Sequence, residues 1–178
     1  MDSKILNKAI DNWSAIHTRL LMLYQEYVHP DDTVLDIGCG LKMITRFLKC
    51  RLLTGIEIWQ PYLEEGDIWS DVTELDSFSG TLRYDVVMAL DLIEHLEKDM
   101  GIKLIFEMLK MARKRVIIFT PTQWTDNKAA VTDKKFWSYG NPYNEHKSLW
   151  TKAEFKKLGF LVLKHPYQKD YIIAVREK

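Results

Sequence analysis

The run TVLDIGCG at residues 33–40 constrains this chain more than any other segment. It is apolar and rich in branched side chains, then breaks at two glycines, so it reads as a buried strand entering a tight turn. The same grammar repeats downstream. LTGIEI at 53–58 is a second strand, and Pro61 opens the first turn of a helix, where its missing N–H costs nothing. VTEL at 72–75 reads as a short third strand, YDVVMAL at 84–90 as a fourth buried on both faces, and VIIF at 116–119 as a fifth. Helical spacing runs over 44–50 and over 97–112, the latter turning Ile102, Ile105, Met108, Leu109 and Ala112 inward. An earlier amphipathic helix covers 4–28 through Ile5, Ile10, Trp13, Ile16, Leu20, Leu23, Tyr24 and Val28, and Pro30 stops it. Strands that alternate with helices call for a parallel sheet with right-handed crossovers.

After Thr120 and Pro121 the pattern changes. Residues 122–150 are dense in Trp, Tyr, Asn and Lys and show no period, and so long an irregular stretch in a compact domain is usually functional. TKAE at 151–154 is a capping box that opens a short helix ending at Gly159. Residues 160–165 and 171–176 are two strands whose connection is too short for a crossover, so they must pair antiparallel. The expected organisation is one domain over 1–178, with an N-terminal helix within 1–30 and an acceptor lid at 122–150.

Composition narrows the function classes. The chain has 178 residues with 25 Lys and Arg against 25 Asp and Glu, and this neutrality supplies no field for holding a polyanion. Nucleic acid is therefore not expected as a partner. No apolar run approaches a bilayer span, and MDSKILNKAIDNWSAIH at the start lacks the apolar stretch of a secretory signal, so neither membrane nor export is expected. Two cysteines, Cys39 and Cys50, do not make a disulfide framework, which suits a reducing cytoplasm. Six Trp and eight Tyr exceed what a small core needs, and bulky rings with polar tips favour a half-exposed cleft wall.

The chemistry gathers at the strand ends. Gly38 and Gly40 let backbone approach a ligand closely, and Asp36 can accept a hydrogen bond from a cationic group. Glu57 lies 21 residues after Asp36, at the end of the second strand, where a carboxylate can bind both hydroxyls of a ribose. A nucleoside-bearing cofactor follows from these positions.

From residue 34 onward the chain resembles the class I S-adenosylmethionine-dependent methyltransferases. The resemblance rests on VLDIGCG at 34–40, GIE at 55–57, YDVVMALDLIEH at 84–95 and VIIFTP at 116–121, four segments in the family's order and at its spacing. It implies an α/β, Rossmann-like, doubly wound sheet of seven mostly parallel strands, in the order 3-2-1-4-5-7-6 with the last strand antiparallel, in three α/β/α layers. It also implies S-adenosyl-L-methionine as cofactor. Asp36, Gly38, Cys39 and Gly40 would surround the methionyl part, and Glu57 would take the ribose. Ile58 and Trp59 would pack on the adenine, Asp76 after strand 3 would meet its amino group, and Leu90 and Asp91 would close the pocket. Asp67 and Asp71 are alternatives to Asp76, which is selected only by reading 72–75 as strand.

One departure is Lys42, which stands where the family often has a third glycine. It can point harmlessly outward, pair with the cofactor's carboxylate, or crowd the site and abolish binding. The last outcome would leave a non-catalytic methyltransferase-like binding or scaffold domain. A nicotinamide-dependent oxidoreductase shares the glycine turn and strand-end acid, but the missing third glycine and the final hairpin count against it.

On the acceptor side, His95 follows strand 4 and His146 lies in the long loop, both candidates for removing a proton from a small-molecule acceptor. Tyr143 and Trp150 are candidate substrate contacts. Each has a plainer reading, His95 as a turn-packing residue and His146 as a solvated loop histidine. Trp13, His17 and Tyr24 on the first helix either cover the entrance or belong to the core. Asp126 and Asn127 with Asp91 could offer oxygen ligands to Mg²⁺, yet Thr120 and Pro121 occupy the strand end where such ligands belong, so no metal is expected.

Overall fold

The computed structural model describes residues 15–77, 80–164 and 170–178. Its strands are β1 (Thr33–Ile37), β2 (Leu52–Glu57), β3 (Ile68–Trp69), β4 (Tyr84–Leu90), β5 (Ala112–Pro121), β6 (Leu161–Lys164) and β7 (Tyr171–Glu177). They form one sheet in the order β3-β2-β1-β4-β5-β7-β6. The first five strands run parallel, and β7 is antiparallel to both β5 and β6. This is the α/β order, and the antiparallel last hairpin, that the sequence implies.

Period-two alternation sends the strand residues into two cores. Leu35, Ile37, Val87, Ala89, Val116 and Ile118 face α2 (Lys98–Met111) and α4 (Lys152–Lys157), with Leu104, Ile105, Met108 and Phe155 opposite them. Val34, Val86, Met88, Ile117 and Phe119 face Leu20 and Tyr24 of α1 (Ala15–Tyr27) and Val28 just after it. The part of the N-terminal helix that holds Ile5, Ile10 and Trp13 lies outside the described residues. Helix α4 starts and stops as read: Thr151 and Glu154 make the reciprocal capping box. At its end Gly159, with φ +80°, and Phe160 return their N–H groups to the carbonyls of Lys156 and Phe155. That is a Schellman stop, closed by the Phe155 and Phe160 rings at 5.7 Å. Among the described residues no helix is long and apolar enough to cross a membrane.

Three expectations need correction. Residues 44–50 are not a helix but a single 3₁₀ turn, Thr45–Phe47. A five-residue strand spans about 17 Å, and the nine residues between Lys42 and Leu52 coiled as α-helix would return only about 14 Å, so the path must stretch. Likewise only Gln60–Tyr62 turns after Pro61. Residues 72–75 are not the third strand. Asp71 accepts hydrogen bonds from the N–H and hydroxyl of Thr73, both at 2.8 Å, and this side-chain turn starts the 3₁₀ helix Val72–Ser77. The third strand is Ile68–Trp69, and the acid that follows it is Asp71, not Asp76. The side chain of Asp76 itself lies outside the described residues.

Candidate active site

A cavity of about 940 Å³ opens across the carboxyl ends of β1, β2 and β4. The chain order reverses at β1, where β2 and β4 flank it, which is the place an open α/β sheet reserves for a ligand.

At one end the wall is mostly backbone. The N–H groups of Gly38 and Cys39 both donate to the carbonyl of Ile56, so the turn after β1 folds onto β2. Gly38 has φ +64°, and a Cβ there would stand 2.5 Å from Leu92. Gly40 has φ +50° and faces open space. Cys39 does not present its thiol as a reactive group. It packs against Gly55, where any Cβ would meet its sulfur at 2.4 Å, and burial pushes the thiol far above its ordinary range.

Two carboxylates flank this turn. Glu57 Oε2 accepts the N–H of Gly40 at 2.9 Å and Oε1 that of Trp59 at 2.8 Å, which fixes the plane of the carboxylate and leaves a further lone pair on each oxygen. Burial raises its pKa, against the pull of those N–H groups. Asp36 is held by the Thr45 hydroxyl at 2.6 Å, and burial pushes it up to about 7. The hydroxyl of Tyr24 is fully buried with no hydrogen-bond partner among the described residues, and Asp36 and Asp91 both act on it electrostatically. An orphaned hydroxyl beside two carboxylates is a place that a polar ligand group would satisfy.

Lys42 does not point outward. It adopts the left-handed conformation in which a glycine is expected, φ +49°, and is only 6% exposed. Its ammonium bonds Asp67 at 2.7 Å and Glu64 at 2.9 Å, and Asp67 in turn accepts the N–H of Gly55 at 2.9 Å. The left-handed backbone costs about 1–2 kcal/mol, and the ion pair ties the turn to the β2–β3 connection in exchange.

Ile58, Asp71 and Leu90 line the middle of the cavity. Trp59 does not: it packs on Leu41 and Tyr62, its ring edge-on to Tyr143. Asp91, with φ +51°, is exposed, but into the cavity. Protein encloses it on its other sides, and this burial pushes its pKa up to about 7, against the hydrogen bond with Glu94 that lowers it.

The far end is built from side chains. His95 sits on the 3₁₀ turn Ile93–His95 after β4, and His146 comes from the loop, with ring centroids 4.9 Å apart. Burial lowers both, His95 to about 4, so both imidazoles are neutral at neutral pH. The loop is pinned by the N–H groups of Lys147 and Ser148, which both donate to the carbonyl of Glu94, and by Asn127 Oδ1, which accepts the N–H of His146 at 2.9 Å. Tyr143, Trp137 and Asn141 of the same loop also line the cavity, but beside the turn after β2, where Tyr143 meets Trp59 and Trp137 meets Tyr62, and His17 of α1 borders the cavity. Tyr24 belongs to the core.

Trp150 requires correction, because it is a core residue and not a substrate contact. It is fully buried, and its indole N–H donates to the Ile93 carbonyl at 3.2 Å. Its ring fits against α2 only because position 101 is glycine, where a Cβ would meet it at 2.5 Å. Asp126 is exposed and caps the N–H of Lys128, and Asn127 positions the loop, so neither forms an oxygen-ligand set with Asp91. The residues that sequence reasoning misses are Thr45 and Glu94, while Asp71 is among its alternatives to Asp76. Glu94 had one signal, its place next to His95 at a strand end, but nothing in the sequence shows that His146 meets it.

No family model and no curated protein matches the sequence. Solved structures do match. A S-adenosylmethionine-dependent methyltransferase from Archaeoglobus fulgidus is 18% identical with a TM-score of 0.60, over 92% of this chain and 93% of that one. The magnesium protoporphyrin IX methyltransferase ChlM from Synechocystis PCC 6803, with bound S-adenosylhomocysteine, is 17% identical with a TM-score of 0.58, over 92% and 84%. The small RNA methyltransferase HEN1 is 16% identical with a TM-score of 0.59 over 90% of this chain, which spans only 25% of that protein. At such identities the likeness concerns architecture, and it agrees with the strand order: the chain has the fold of the class I S-adenosylmethionine-dependent methyltransferases.

Proposed function

We propose that this protein transfers the methyl group of S-adenosylmethionine to an O, N or C nucleophile of a small-molecule acceptor. The observation that carries the reading is that one cavity joins a backbone-lined turn, at Gly38 with Asp36 and Glu57 beside it, to a pair of imidazoles, His95 and His146, 4.9 Å apart. The cofactor supplies an already activated methyl on its sulfonium. What remains for the protein is alignment and exclusion of water.

The residues at the first end fit that cofactor. Glu57, its plane fixed by two backbone N–H groups, suits a pair of ribose hydroxyls, and Asp36 suits an ammonium. Asp71 takes the place proposed for Asp76 near the adenine, beside Ile58, while Leu90 and Asp91 border the middle. Tyr143 lines the cavity beside the turn after β2, and at the other end His95 and His146 present neutral ring nitrogens toward the acceptor. Residues 122–150 form its cover.

The alternative, a non-catalytic scaffold, rests on crowding by Lys42, and the pairing of its ammonium with Asp67 and Glu64 counts against that crowding. The neutral charge of the chain favours a small acceptor over nucleic acid. The test is direct. Calorimetry with S-adenosylhomocysteine should give one site per chain, and tritiated S-adenosylmethionine incubated with pooled metabolite fractions should label a small product. Absence of heat at millimolar ligand would reject the reading.

A further inference from the structure

Glu94, His95 and His146 each offer one ligand atom at the acceptor end, and these atoms lie within 4.8 Å of one another. Two features prepare them. His95 Nδ1 meets the carbonyl of Glu145 at 3.1 Å, and His146 Nδ1 meets that of Thr125 at 3.0 Å. A carbonyl only accepts, so these contacts favour the tautomer with the hydrogen on Nδ1, which leaves the Nε2 lone pair for a ligand; the Asp91 backbone is a second hydrogen-bond partner of the His95 ring. Anchoring one ring nitrogen on a backbone carbonyl is how metal-ligating histidines are commonly oriented. The third donor is a carboxyl group that is 2% exposed, with one oxygen fixed by the Thr120 hydroxyl at 2.9 Å. Such a group sits at high cost away from water unless a cation compensates it.

The scaffold holds the three together. Glu94 and His95 share the 3₁₀ turn after β4, and the stretch carrying His146 is sewn to that turn by the Lys147 and Ser148 N–H groups on the Glu94 carbonyl, at 2.7 and 3.0 Å. Donors about 2.1 Å from a metal stand roughly 3.4 Å apart at a tetrahedral edge, so closure needs side-chain shifts of roughly 1.5 Å or less. Asp91 faces the same space.

We propose that Glu94, His95 and His146 bind a first-row divalent cation at the acceptor end of the cavity. Two imidazoles and one carboxylate favour such an ion over Ca²⁺, and three protein donors leave coordination positions open for an acceptor. The acceptor class becomes an oxygen compound, a hydroxyl with a second oxygen beside it: the metal-bound hydroxyl would give its proton to solvent water, the resulting oxyanion would form the O–CH₃ bond as the S–CH₃ bond breaks, and S-adenosylhomocysteine would leave. That last step rests on the methyl-transfer reading; the cation site does not.

Protein dialysed against chelator, then titrated with Mn²⁺ by calorimetry and by loss of the free-ion electron paramagnetic resonance signal, tests the site. One equivalent should bind, and His95→Ala and His146→Ala should each weaken it ten- to a hundredfold while leaving the melting temperature of the metal-free protein nearly unchanged. Glu94→Gln, which keeps the shape and the Thr120 contact, should weaken it as well. No binding of Mn²⁺ or Zn²⁺ at millimolar concentration, or binding indifferent to both histidine variants, overturns the proposal. S-adenosylhomocysteine binding in the same preparation separates the two readings. Homocysteine-ligand binding without cation binding rejects the metal site alone, and cation binding without it rejects methyl transfer while the site stands.

Discussion

The two ends of the cavity are made of different material. At the cofactor end the groups that matter are the turn at Gly38, Cys39 and Gly40 and two carboxylates placed by the ends of β1 and β2, each with its partners in the turns that follow those strands. At the acceptor end His146 closes a stretch of 25 residues after β5 whose regular pieces are the short helix α3 (Lys128–Thr132) and the 3₁₀ turn Pro142–Asn144, and it is held by contacts with Glu94, Thr125 and Asn127. A ligand gripped by backbone has few ways to be lost by side-chain change, whereas a site assembled from a loop can change its substrate without disturbing the sheet. That contrast predicts which substitutions abolish binding, which unfold the protein and which touch only turnover.

The largest effect on binding should come from Gly38→Val. Its φ of +64° disfavours a branched residue, and its Cβ would lie on Leu92, so S-adenosylhomocysteine should give no measurable heat at millimolar concentration. A variant that folds and still binds would place the cofactor elsewhere. Next is Trp150→Ala, which should cost about 3–5 kcal/mol of stability in denaturant unfolding, the usual range for emptying a large aromatic site in a core. If Trp150 belonged to the acceptor wall instead, stability would scarcely change, and the boundary drawn here between lid and core would be wrong.

Those two residues also show what was legible in the sequence. The glycine turn, Asp36 and Glu57 could be located because strand ends and glycines carry their own positional meaning, and the sheet order followed from alternation and resemblance. Trp150 could not be placed, because an aromatic residue at the end of an aperiodic stretch has no period to assign it a side, and the glycine that admits it is 49 positions earlier. Asp71 was passed over for a related reason: VTEL has strand-like residues, yet the side chain just before it captures the backbone of Thr73. The Glu94, His95 and His146 cluster depends on the path of the loop, which local propensity does not encode.

Intermediate effects sharpen the cofactor end. Glu57→Ala should weaken S-adenosylhomocysteine by about 1.5–3 kcal/mol, the range for hydrogen bonds to a charged group. Unchanged binding would remove the ribose assignment and nothing else. Asp36 adds a pH dependence. Burial holds it at about 7, with the Thr45 hydroxyl and Lys42 pulling it down and Glu57 and Asp67 pushing it up, while Tyr24 packs nearby. An ammonium favours the ionised form, so below about pH 7 binding must release a proton. Affinity should therefore be constant above that pH and fall as pH drops, by up to about 1.4 kcal/mol per unit. Asp36→Asn should flatten that slope in a titration series from pH 8 to pH 5, and an unaltered slope would assign it to another group.

The smallest effect on affinity should be that of His146→Ala. Its ring reaches His95 at 4.9 Å and Trp124 at 6.4 Å, both on the acceptor side, and its position depends on Asn127 and Thr125 rather than on any part of the glycine turn. Cofactor affinity should stay within about 0.5 kcal/mol, as for a change away from a contact. Turnover with any acceptor found should nevertheless fall by about 10² to 10⁴, whether the ring nitrogen takes the acceptor's proton or holds an ion that makes that proton easier to lose to water. Both measurements are needed on one preparation, since a loss of affinity comparable with that of Glu57→Ala would mean that the loop reaches the cofactor and that the two ends are one site. Wild-type turnover would make the loop a cover without chemistry, and His95, rooted on the turn after β4 and independent of the loop's sequence, would be the residue to replace next.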